Sequence, residues 1–68
     1  MYAILLKYEN EDVFLGVGMY KHNDERLLVL DPPRRKYRTF EQALNAVVAI
    51  KNGNYANGNF KDYEIVSV

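Results

Sequence analysis

The chain has 68 residues, 49% of them apolar and 26% charged, with nine Lys and Arg balanced by nine Asp and Glu and no cysteine. That length builds one small domain, residues 1–68, which buries only about 60% of its unfolded surface. Disulfides and Cys-based zinc sites are excluded, and the zero net charge speaks against general polyanion binding. No run approaches the roughly 20 apolar residues of a membrane span. The opening MYAILLKYENED turns acidic after five apolar residues and lacks the positive leader of a signal peptide. The expectation is a complete, soluble, cytoplasmic protein.

In YAILLKY, Tyr2, Ile4, Leu6 and Tyr8 point to one side and Ala3, Leu5 and Lys7 to the other, the period of a strand. The polar turn ENED follows, then a second alternating run, VFLGVGMYK. Pairing Tyr8 with Val13 places Leu6 by Leu15, Ile4 by Val17 and Tyr2 by Met19, eight apolar residues on one face. Asn23-Asp24 suits a tight turn, since both residues tolerate positive φ. The same ladder continued sets Met19 by Leu28 and Val17 by Leu30, so a third strand spans about Arg26 to Leu30. Asp31-Pro32-Pro33 stops it, because proline donates no ladder hydrogen bond and restricts its predecessor.

Thr39 opens a helix. TFEQ matches the capping box, in which Thr39 accepts from the third helical amide and Gln42 reaches back. At 100° per residue Ala46, Ile50, Ala43, Val47, Phe40, Leu44 and Val48 cover about 200° of arc, with Glu41, Gln42, Asn45 and Ala49 opposite. Lys51-Asn52-Gly53 provides a basic last turn and a glycine stop. KNGNYANGNFKDY then repeats itself, Asn-Gly-Asn-Tyr and Asn-Gly-Asn-Phe around Ala56. Such clusters mark turn-rich connectors, here with Tyr55 and Phe60 dropping their rings onto the open end of the core. A last strand covers Asp62 to Val68.

The fold class is α+β, β-β-β-α-β: an antiparallel three-stranded meander plus a C-terminal strand, with one amphipathic helix packed on one face. The favoured strand order is 3-2-1-4. A helix running down and a strand running up make the last strand parallel to strands one and three, joined by a right-handed crossover. Pairing of strand four with strand three is the competing arrangement.

Two surfaces stand out. With the helix on one side, the other side of the sheet shows Ala3, Leu5, Phe14, Gly16, Gly18, Tyr20, Leu27 and Val29, relieved only by Lys7. A solvated face should alternate apolar with polar. Gly16 and Gly18, flanked by Phe14 and Tyr20, predict a shallow trough, and strand glycines mark close approach of another backbone. A contiguous apolar patch reads as an interface, unless the C-terminal segment or the 52–61 loop folds over it. The second surface is Arg34, Arg35, Lys36, Tyr37 and Arg38, just before a helix N-terminus that attracts anions. Basic residues around an aromatic suit a phosphate backbone and a stacked base. The expected topology sets this loop beside Glu9, Glu11 and Asp12, which would partly neutralise it.

Catalysis finds little support. His22 and Ser67 are the single histidine and serine, expected at opposite ends of the sheet, and Thr39 serves as a cap. Glu9, Glu11 and Asp12 share one exposed turn, and His22 with Asp24 and Glu25 gives too few ligands for a metal. Gly16-Val17-Gly18 lies within a strand, not before a helix as a phosphate loop would. The reading is therefore a non-enzymatic binding protein with no cofactor, metal or evident small-molecule substrate. It acts through the apolar sheet face as a homodimer or on another protein, with a nucleic-acid module built on the 34–38 loop as the alternative. In general build, a short Cys-free α+β chain, it resembles the tiny accessory and inhibitor proteins that phages and mobile elements encode, a likeness that attaches to no particular residue.

Overall fold

The computed structural model describes residues 1–30 and 33–68 and contains β1 (Tyr2–Lys7), β2 (Asp12–His22), β3 (Glu25–Leu30), α1 (Phe40–Asn52) and β4 (Asp62–Ser67). The four strands lie in the order β3-β2-β1-β4, the meander that the first thirty residues imply with the last strand beside the first, as favoured, and not beside the third. Of the expected strand stop, Asp31 and Pro32 lie outside the described residues. The β2–β3 hairpin turns on Asn23 and Asp24, both at positive φ (52° and 65°), a conformation that Asn and Asp tolerate through their short polar side chains.

One layer of helix covers one face of the sheet. Ala43, Val47 and Ile50 of α1 meet Ile4, Leu6, Leu15 and Leu28 of the strands, and Phe60 closes the cluster. Ile4, Leu6 and Val47 are fully buried, and each contributes about 1.5–3 kcal/mol through its lost contact with water. Thr39 Oγ1 accepts from the Gln42 amide at 3.1 Å, while Gln42 Oε1 accepts from the Arg38 amide at 3.2 Å. The cap is thus the expected box, displaced by one residue on its return bond. The helical stripe is narrower than its sequence suggests, since Phe40 and Val48 are half exposed.

The direction of β4 differs from the expectation. It pairs antiparallel to β1, Tyr2 with Ser67 through Lys7 with Asp62, so no parallel crossover exists. The reason lies in residues 53–61. They hold a turn, in which the Gly58 amide donates to Tyr55 O at 3.1 Å, and also run beside β3, where Tyr55 bridges Arg26 in parallel and the Ala56 amide donates to Arg26 O at 2.9 Å. The Asn57 side chain then accepts from the Leu28 amide at 2.8 Å and donates to Leu28 O at 3.0 Å. The connector itself travels the height of the sheet, so β4 starts beside Lys7 and descends.

Two register shifts complete the picture. Leu6 pairs with Val13 rather than Leu15, because the Tyr8 amide donates to Glu11 O and Tyr8 belongs to the turn. A slide of two keeps every side chain on its predicted face. Between β2 and β3, Met19 pairs with Leu28 as expected, but Leu30 meets Leu15 rather than Val17, across a bulge. Gly18 supplies its positive φ of 86°, as bulges often require. Val17 and Met19 are nevertheless 44% and 54% exposed; Met19 keeps the helix side with its partner Leu28, as alternation assigns it, but is not covered there.

Candidate binding surface

Beyond the Leu5–Phe14 pair, β1 and β2 splay apart and residues 33–37 enter the gap. Val17 N donates to Pro33 O and Arg35 N to Leu15 O, while Tyr2 and Tyr37 exchange two 2.8 Å bonds. Gly16 is therefore approached by another backbone, as a strand glycine suggests, but it is the chain's own: Gly16 bridges Arg34.

That insertion rebuilds the helix-free face. Arg34 lays its guanidinium over the Phe14 ring, 4.0 Å from the centroid, so the trough expected between Phe14 and Tyr20 is occupied at one end. Ala3 and Gly16 are buried and present nothing to a partner, a correction to the expected surface. Leu5, Phe14, Leu27 and Val29 are half-buried, and Gly18 and Tyr20 are exposed. The register adds two residues that the parallel arrangement concealed: Glu64 opposite Leu5 and Val66 opposite Ala3. The alternation of Asp62–Ser67 carried that signal once β4 stands antiparallel beside β1. Neither candidate cover lies on this face. The 53–61 connector is committed to the β3 edge and, through Phe60, to the core, and β4 is committed to the β1 edge.

The basic segment is not where the sequence places it. Tyr37 pairs with Tyr2, at the start of β1, whereas Glu9, Glu11 and Asp12 follow the end of that strand. The acidic turn therefore does not neutralise the segment. Among the described residues the ion pair is Lys61 with Glu9, at 3.5 Å and largely exposed, a geometry worth little. Arg35 approaches the Tyr37 ring at 5.6 Å, and with Lys36, Arg38, Gln42, Asn45 and Met1 it borders a broad open depression at the start of α1.

The remaining polar groups do not assemble. His22 pairs with Glu25 beside the hairpin turn and Ser67 with Tyr2; β4's direction brings Ser67 to the start of β1 rather than to its end. Among the described residues no three His, Asp or Glu side chains gather as metal ligands. The Tyr8 phenol, pushed up from its ordinary pKa by burial and then by nearby Glu11, donates to Asn57 O at 2.6 Å and meets the Phe60 ring edge-on. It is a strut between turn and connector. No helix of the described residues is long and apolar enough to cross a membrane. Comparison with protein-family models, curated proteins and solved structures yields no match to this chain.

Proposed function

We propose that this chain is a non-enzymatic binding protein whose helix-free sheet face packs against a second copy of itself. The observation that carries the reading is the apolar centre of that face, half-buried Leu5, Leu27 and Val29 beside a Phe14 ring that only the Arg34 guanidinium overlies, while the connector and β4 are bonded elsewhere. A thin-cored domain of this size gains from such burial. Charge favours a second copy as occupant. Glu64 and Arg34 stand at the two sides of the apolar centre, one beside Leu5 and the other on Phe14. A two-fold axis between them brings the Arg34 of each copy toward the Glu64 of the other, a self-complementary arrangement. Any accessory or inhibitory action of the phage type would be exerted by the dimer's remaining surface.

Sedimentation equilibrium tests this. The reading expects twice the 7.9 kDa chain mass at micromolar concentration, and single chains for Leu5→Glu or Val29→Glu with the circular dichroism spectrum unchanged. Exchange of Glu64 and Arg34 for each other should restore what either single charge reversal weakens. A monomer at all concentrations, or a dimer indifferent to Leu5→Glu, overturns it.

A further inference from the structure

We infer that the depression at the start of α1 binds the phosphate backbone of single-stranded nucleic acid, with Tyr37 stacking a base. The inference does not depend on the dimer, because it uses Arg35, Lys36 and Arg38 and leaves Arg34 on Phe14. Three features carry it.

The first is unneutralised charge. Arg35, Lys36 and Arg38 are exposed, and among the described residues no carboxylate lies within ion-pair distance of them. A net charge of zero therefore conceals a basic region separated along β1 from the acidic turn. Desolvating those cations against phosphates releases counterions, the main source of affinity for nucleic acid.

The second is a rim made of donors. Beside the three cations, Gln42 and Asn45 contribute carboxamides. Gln42 Oε1 is already engaged by the Arg38 amide, which leaves the Nε2 hydrogens as what that side chain offers a ligand. The depression is wide and open, so it suits an extended polymer that lies across it and not a metabolite that must be enclosed.

The third is a ring among the cations. Tyr37 lines the depression between Arg35, Lys36 and Arg38, is half-buried and is held on its inner side by packing against the core cluster. An aromatic fixed in this way beside cations is a stacking platform, and stacking on it tolerates any base. The irregular backbone of 34–38 offers neither a helix nor a two-stranded ribbon for a duplex groove, which points to single strands.

Fluorescence anisotropy with a labelled single-stranded oligonucleotide of about 12 nucleotides, a length within the usual site size, tests the proposal. Affinity should fall with log salt at a slope of about −2, from roughly 0.7 for each of three phosphates. Arg35→Ala/Lys36→Ala/Arg38→Ala should flatten that slope and weaken binding at low salt at least tenfold (about 1.4 kcal/mol or more). Tyr37→Leu, which keeps the bulk packed on the core and removes the ring, should weaken binding about fivefold or more with the slope kept, and Lys21→Ala/Lys61→Ala should change little. The monomeric Leu5→Glu chain should bind as the wild type does, so failure of the dimer would not imitate failure here. Absence of binding at low salt, a triple variant with an unchanged slope, or inorganic phosphate competing as well per phosphate as the oligonucleotide would overturn the inference.

Discussion

Replacing Asn57 by alanine removes the two bonds that fasten the connector to β3. The side chain bonds both Leu28 N and Leu28 O, so its loss leaves one donor and one acceptor unpaired on a residue only 4% exposed. A buried polar group without a partner costs about 1–3 kcal/mol, and partial access of water to the β3 edge brings the pair toward the lower end, about 2–3 kcal/mol together. Stability of the whole domain, at about 0.05–0.15 kcal/mol per residue, is about 3–10 kcal/mol. The loss should therefore lower the melting temperature by roughly 10–20 °C, at about 4–8 °C per kcal/mol for a domain of this size. Thermal and urea unfolding followed by circular dichroism measure it. Asn59→Ala supplies the control, since the second asparagine of the same Asn-Gly-Asn unit is exposed and should change stability by no more than about 0.5 kcal/mol. Equal, small effects at both positions would refute the edge-closing role of Asn57, and with it the explanation of why β4 descends.

Three further outcomes follow from the same geometry. Gly53→Ala would set a Cβ 2.6 Å from Tyr55 Cε2 in a ring whose hydroxyl accepts from Arg26 and whose face carries that guanidinium; urea unfolding should show a loss of about 1–3 kcal/mol, softened in the Arg26→Ala background where the ring can move. Thr39→Ala should cost about 1 kcal/mol and Thr39→Ser far less, because the hydroxyl oxygen is what receives the Gln42 amide. Tyr8 has its folded pKa raised above 10.0, by burial first and Glu11 second, so its contribution is complete below the unfolded value and is lost as pH rises through the folded one. Tyr8→Phe should therefore lower stability at pH 7 by about 0.5–1.5 kcal/mol for the missing bond and make unfolding less sensitive to pH above 10.

Local signals carried the elements. Period-two alternation fixed the faces of β1 and β3, positive-φ residues marked the hairpin, and the Thr39 cap and apolar stripe located α1. Each depends on neighbours in sequence. The direction of β4 depends instead on Asn57 reaching Leu28, 29 residues away, and nothing in an Asn-Gly pair distinguishes an edge-binding asparagine from a turn former. The splay of β1 from β2 is likewise made by backbone groups of 33–37, whose hydrogen bonds leave no trace in side-chain identity. Gly16 and Gly18 were the visible clue: one admits that backbone and the other turns the bulge. The outer face was legible as apolar, while Arg34 on Phe14 and Glu64 beside Leu5 emerged only with the tertiary register.

Isotope-filtered NOE spectroscopy on a mixture of labelled and unlabelled protein tests the central claim most directly, by reporting which side chains touch across molecules. Contacts between copies should involve the methyls of Leu5, Leu27, Val29 and Val66 and the Phe14 ring. Intermolecular contacts confined to Phe40, Val48 or the outer edge of β4, or none at millimolar concentration, would contradict it.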